Sequence, residues 1–271
     1  MYAKIKSKIL KPANLKEFFA ITCSVDNFKI IAGGTDLLIK IKEGKISYDY
    51  LILITEIEEL KILEEEQNHI ILGAANRFSE ILNFQPVKSL NALYQAISQI
   101  GSPHIRNMAT ISGNIVNSSP AADSIPPLIL FNSKLLISNG DKIREHNMIE
   151  PLKLAKDEIL VSVKVEKIKG RSGYIKIGKR KVMTISRLNL AYLKDENEKW
   201  RFVVGAMTPY PVRMKNLESV VNSENITKKR ISSAIEEDIL SYSDYRPSFK
   251  YKMPVLKDLI WSLLWISLEN L

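Results

Sequence analysis

The sequence predicts an α+β protein of three units: a small parallel α/β unit, a larger mixed or antiparallel α+β unit, and a C-terminal α+β domain with a small antiparallel sheet. Three observations carry this reading. The N-terminal region runs strand, helix, strand, Gly-Gly, helix; from Ile70 the texture changes to short strands with turn signals between them; and the composition shifts again after Lys169-Gly-Arg-Ser-Gly173. The units are expected at 1–55, 56–170 and 171–271.

Each element has a local reason. The opening MYAKIKSKILKPAN is basic, lacks the apolar core and cleavage site of a signal peptide, and reads as a first strand. Asn14 and Glu17 have the spacing of a capping box, so a short helix follows to about Cys23, which is expected to pack within it. Phe28 to Ala32 reads as a strand, Leu37 to Lys42 as a helix and Leu51 to Ile54 as the third strand. In the second unit one clear helix is expected over Ser89 to Ile100, with Leu90, Leu93, Tyr94, Ile97 and Ile100 on one face and Gly101 as its stop. Lys134 to Ser138 and Lys142 to Glu145 flank the hairpin signal Asn139-Gly140, and Ile159 to Val165 alternates like a half-buried strand. Lys169 to Gly173 reads as a linker. Beyond it, Tyr174 to Ile177, Leu188 to Leu193 and Arg201 to Val204 are strand candidates, and the remainder reads as helical.

Composition bounds the function. At 45% hydrophobic and 25% charged the chain is an ordinary globular protein. The apolar window Leu259 to Leu268 is about half of the roughly 20 residues that span a bilayer, so no membrane span is expected. One cysteine and three histidines cannot supply an ordinary iron–sulfur cluster or structural zinc site, which puts any such centre on another chain. The formal charge is +9, yet the lysines are scattered and no aromatic stripe interleaves them, so a nucleic-acid partner is not expected.

Two stretches invite a chemical reading. In KIIAGGTDLL, Lys29 to Leu38, a strand ends in Gly33-Gly34 and runs into a helix start. Glycine permits positive φ, so successive amides can form an anion-binding nest, with a hydroxyl on Thr35 and a carboxylate on Asp36 beside it. A plain strand-to-helix turn explains the same residues. The second stretch, Ile105 to Phe131, is a polar segment with a Gly113-Asn114 turn, pinned between apolar anchors. Thr110, Ser112 and Asn114 could meet ligand oxygens, and Asp123 could accept from hydroxyls; alternatively this is an Ω-loop whose polar groups satisfy one another.

Together, AGGTDLL and RNMATISGNIVNSSPAAD resemble the FAD-binding medium subunit of molybdenum hydroxylases, the xanthine dehydrogenase and carbon monoxide dehydrogenase family. YIKIGKRKVMTISRLNLA, VGAMTPYPVR and SYSDYRPSFKYKMPVLKDL extend the likeness over nearly the whole chain. The resemblance implies that the first two units form a two-subdomain FAD-binding fold. It implies cofactor contacts at Lys29, Ile30, Ile31, Ala32, Gly33, Gly34, Thr35 and Asp36, then at Thr110, Ile111, Ser112, Gly113 and Asn114. It adds Asp123 on the ribityl or adenosine part, Ile159 through its backbone, and Lys176 close to the flavin. The main-chain amides of both glycine-bearing turns would jointly hold the paired phosphates.

The same resemblance implies a hetero-oligomeric, cytoplasmic oxidoreductase. A large partner would carry a molybdenum cofactor and a small one two [2Fe–2S] clusters, with NAD as a possible acceptor. An alternative is a self-sufficient FAD-dependent oxidoreductase of the same fold; a cofactor-free basic binding module is the reading from another class. Ser112 stands where relatives commonly have glycine, a poor match if that site needs positive φ. Around Thr184 many relatives carry an acidic residue that this chain lacks. No catalytic triad is visible, no residue of this chain is assigned to bind metal, and His69, His104 and His146 read as surface or loop residues. Tyr174, Tyr192 and Tyr210 could stack on a flavin or fill core, while Trp261 and Trp265 form an apolar stripe suited to core or a partner interface.

Overall fold

The computed structural model describes residues 8–180, 183–243, 245 and 248–269, with side chains to Trp265. The first strand expected in MYAKIKSKILKPAN therefore lies partly outside the described residues, as do parts of the KRKVMTIS and DYRPSFKYK segments. The chain divides into two units, one holding the described residues through Ser89 together with Ile100–Ser118 and Asn132–Lys167, the other holding Leu90–Gln99, Ser119–Phe131 and the described residues from Ile168 onward.

The first unit opens with β1 (Lys8–Leu10), α1 (Leu15–Ser24), β2 (Phe28–Ile31), α2 (Leu37–Lys42) and β3 (Tyr50–Leu53), and its three strands form a parallel sheet in the order β1-β3-β2. The α1 cap forms as the spacing predicts: Asn14 accepts from the Glu17 amide at 2.8 Å, and the Glu17 carboxylate reaches the Ala13 amide at 2.7 Å. Cys23 is exposed, not packed, because Phe18 and Thr22 take the buried face of that helix.

There follow β4 (Leu63–Glu65), β5 (His69–Gly73) and α3 (Phe78–Asn83). After a segment of the other unit containing α4 (Asn91–Ser98) come α5 (Pro103–Arg106) and α6 (Ile111–Asn117). After a second such segment, with α7 (Ile125–Leu130), come β6 (Lys134–Ser138), β7 (Ile143–Asn147) and β8 (Ile159–Glu166). These five strands make an antiparallel sheet in the order β4-β5-β8-β6-β7, with Ile70, Leu72, Leu135 and Val163 fully buried. The region holds more helix than the single one expected, since α3, α5, α6 and α7 are too short to display a helical period in sequence.

The second unit is built on β9 (Gly170–Ile177), β10 (Leu188–Asp195), β11 (Trp200–Gly205) and β12 (Val212–Arg213), antiparallel in the order β12-β11-β10-β9. It closes with α8 (Lys215–Val221), α9 (Lys228–Ile239) and α10 (Phe249–Glu269). Leu190, Phe202, Val204, Met214, Ile235 and Leu256 join strands and helices in one apolar core. Trp261 packs against this core, and Trp265 is half exposed with its ring 6.1 Å from that of Trp261.

Of the expected linker at Lys169 to Gly173, all but Lys169 is instead the first half of β9. Its glycines serve close cross-strand approach: a Cβ on Gly170 would stand 2.2 Å from the Lys194 carbonyl oxygen, and one on Gly173 would stand 2.4 Å from the Tyr192 hydroxyl.

One surface ion pair holds the edge strand β7 to the turn before β8. Arg144 grips Glu158 through two nitrogens at 2.6 and 2.8 Å, and the Ala155 amide donates to the same carboxylate at 2.9 Å. These contacts, the Arg144 hydrogen bond first, lower the Glu158 pKa from 4.5 to about 2. A depressed carboxylate stabilises the fold fully above its unfolded pKa, and the benefit is lost as pH falls through the folded value. After allowance for solvent screening, Glu158→Gln is expected to cost about 1 kcal/mol at neutral pH. In denaturant titrations the gap to wild type should narrow below pH 4.5 and close near pH 2. A gap that widens on acidification contradicts the assignment.

Candidate functional site

The site lies wholly in the first unit, where two segments distant in sequence meet. Strand β2 delivers Ala32–Asp36 to the start of α2, with Gly34 at φ +69. Gly33 is there for contact: an added Cβ would lie 2.0 Å from the Met108 carbonyl oxygen and 2.8 Å from Ala109 Cα. No larger residue lets the backbones of these segments approach so closely. Among the described residues the amides of Gly33, Gly34, Thr35 and Asp36 have no protein acceptor. They are the orphan donors of a turn running into a helix.

The second segment corrects the expected turn at Gly113-Asn114, because both residues lie in the first half of α6. Thr110 caps that helix, its hydroxyl accepting from the Gly113 amide at 3.1 Å. The Ile111 amide donates to Asn76 O, the Ser112 amide to Ala74 O and the Asn114 amide to Thr110 O. The amides of Ile111, Ser112, Gly113 and Asn114 are thus already engaged, unlike those of the first segment. Ser112 lies in the helix rather than at positive φ, so a side chain is tolerated there without backbone strain. Its hydroxyl is buried 3.4 Å from that of Thr110.

Between the segments lies a cavity of about 300 Å³. Ile30, Ile31, Ala32, Gly33, Gly34, Thr35 and Asp36 line it from one side, Thr110, Ser112, Gly113 and Asn114 from another, and Ile159 from the sheet. Lys29, on the exposed face of β2, and Ile111, fully buried, are not among its walls. Residues the sequence did not point to complete it: Phe78, Leu154 and Leu160 supply apolar wall, and Lys40 and Asn117 join across it at 2.8 Å. Of these, Asn117 lies inside the polar segment Ile105 to Phe131, and Lys40 stands four residues after the α2 N-cap Asp36.

Asp123 and Lys176 lie in the second unit, where each is the other's partner. Lys176 Nζ donates to Asp123 Oδ2 at 2.6 Å and to Gln99 O at 3.0 Å. Asp123 Oδ1 accepts from the Tyr174 hydroxyl at 2.6 Å, from Asn189 Nδ2 at 3.3 Å and from the Ser186 hydroxyl. Both ionic side chains are more than nine-tenths buried, so removing either leaves an uncompensated charge. Burial, and then the Asp123 charge, push the Tyr174 hydroxyl well above its ordinary pKa, so this tyrosine is a fixed hydrogen-bond donor.

Residues 4–166 match the family model for the FAD binding domain in molybdopterin dehydrogenase. The chain belongs to this family. This FAD-binding subunit is 29% identical over 248 residues to the nicotinate dehydrogenase FAD-subunit of Eubacterium barkeri, a match spanning 82% of each chain. It is 29% identical over 258 residues to a xanthine dehydrogenase FAD-binding subunit of Escherichia coli, spanning 88% of each. Its fold is that of a chain of the carbon monoxide dehydrogenase of Hydrogenophaga pseudoflava, at a TM-score of 0.83, 20% identity and 96% coverage of both. This membership makes the chain an oxidoreductase subunit of the xanthine dehydrogenase type.

The residues present fit the cofactor the family is named for. A hydrogen bond to a charged group contributes about 1.5–3 kcal/mol, whereas a unit charge 4 Å away costs about 1–4 kcal/mol, depending on local dielectric. Several free amides therefore outweigh Asp36 as neighbours of a phosphate. Gly33→Ala is expected to destabilise the fold by about 2 kcal/mol or more, because backbone meets the new methyl. Gly113→Ala, meeting only the Thr110 hydroxyl at 3.1 Å, should stay within about 0.5 kcal/mol of wild type in the same unfolding titration. Equal losses at the two glycines would count against the close approach described.

Proposed function

We propose that the cavity holds the diphosphate region of FAD, with the Gly33–Asp36 amides as its principal donors. The observation that carries this reading is the row of acceptor-free amides on the wall of a cavity in a chain of this family. FAD supplies the redox chemistry when bound. The protein's part is binding and orientation: Thr110 and Ser112 add buried hydroxyls, and Phe78, Ile159 and Leu160 keep the wall apolar. Thr110 also fixes the start of α6, so the Asn114 side of the cavity is held by a capped helix rather than a free loop.

We further propose that the chain is the electron-exit subunit of a larger assembly. Reducing equivalents would come from [2Fe–2S] clusters on a small partner, after substrate oxidation at a molybdenum cofactor on a large one. They would leave to an acceptor such as NAD. The single cysteine supports this division of labour, and among the described residues no group of His, Cys, Asp or Glu could hold a metal ion. No helix among them is long and apolar enough to cross a membrane.

Purification of the native chain under mild conditions is expected to bring down FAD, by its absorption spectrum, together with a molybdenum-containing chain and a cysteine-rich chain. In stopped-flow mixing, NAD should reoxidise the reduced assembly. A colourless chain that takes up no added FAD overturns the cofactor assignment. Substrate turnover by the isolated chain favours the self-sufficient oxidoreductase, and failure of NAD to reoxidise the assembly removes NAD alone.

A further inference from the structure

The amides above account for hydrogen bonds to a phosphate but not for its charge. Asp36 and Lys40 are the charged residues on the cavity wall, so the side chains there sum to zero only because Lys40 is present. Lys40 sits one turn into α2, and helical side chains lean toward the N-terminal end, which here is the end bearing the free amides. Its ammonium meets no carboxylate within ion-pair distance among the described residues, although Asp36 stands at the favourable i,i+4 spacing. It donates instead to Asn117 Oδ1 at 2.8 Å, a neutral acceptor at the last residue of α6. A charge held by a neutral amide on the wall of a cavity is available to a stronger acceptor.

We propose that Lys40 is the phosphate-recognising cation of this cavity, with Asn117 as its resting partner. This inference rests on the reading that the cavity takes a phosphorylated cofactor. With such a ligand in place, Lys40 Nζ leaves Asn117 Oδ1 and pairs with a phosphate oxygen, offsetting the repulsion of Asp36. Lys40 therefore sets affinity for the anionic part of the cofactor. Lys42, exposed on the same short helix and absent from the cavity wall, is the natural control.

The test is FAD titration of the full-length, flavin-stripped chain, followed by flavin fluorescence at low and high salt. Lys40→Met is expected to weaken FAD binding by about three- to tenfold at low ionic strength, a loss of the size of one charge-assisted contact that salt screens. Lys40→Arg should restore most of the affinity, and Lys42→Met should match wild type. Circular dichroism identifies any variant that fails to fold, and the exposed position of Lys40 makes that outcome unexpected. Wild-type affinity in Lys40→Met, a loss that does not shrink with salt, or an equal loss in Lys42→Met overturns the role of Lys40 while leaving the cavity as an FAD site. A wild-type chain that binds no FAD overturns both.

Discussion

The contact on which the site depends is the approach of Gly33 to the backbone of Met108 and Ala109. A methyl group at position 33 would overlap the Met108 carbonyl oxygen, so the absence of a side chain is what allows the Ala32–Asp36 turn to lie against the segment that becomes α6. The consequences follow from packing rather than from any single strong bond. The turn is pinned from outside, its amides are turned away from protein acceptors, and the space between the segments becomes a cavity. In this pair of glycines Gly33 makes the approach possible, while Gly34, at positive φ, bends the chain into α2.

The two segments contribute unlike chemistry. The first offers main-chain donors and one carboxylate; the second has its Ile111–Asn114 amides bonded to Asn76, Ala74 and Thr110, and offers hydroxyls instead. This division explains why a serine at position 112 is accommodated. Its backbone is helical and hydrogen-bonded, so the demand for glycine there is weaker than at position 33. In the second unit the chain makes a different investment: Asp123 gathers Tyr174, Lys176, Ser186 and Asn189 into one buried cluster, tying the 119–124 segment to β9 and β10. Breaking such a pair by removing one partner leaves the other charge buried and uncompensated.

Much of this was legible in the sequence because it depends on short-range rules. The Asn14 cap, the β2 strand, the Gly-Gly turn and the Asn139-Gly140 hairpin all follow from local geometry. What was not legible depends on partners far along the chain. Gly113-Asn114 resembles a turn in isolation and becomes helix because Thr110 caps it and Asn76 and Ala74 take its first amides. Gly170 and Gly173 resemble a linker and become strand because Lys194 and Tyr192 fill the space their side chains would need. Asp123 was readable as a polar residue near a ligand, yet nothing local announced that both its oxygens would be occupied. The pairing of Lys40 with Asn117 is likewise a product of tertiary approach.

On the proposed reading, the Gly33–Asp36 amides are the donors left free for an anionic ligand. Amide hydrogen exchange of the full-length chain, resolved by residue with and without FAD, tests this most directly. Those four amides are expected to exchange fast in the free chain and to become protected when FAD binds, while Ile111 and Ser112, already bonded to Asn76 and Ala74, are protected in both states. Binding of FAD that leaves the exchange of Gly33, Gly34, Thr35 and Asp36 unchanged would contradict it.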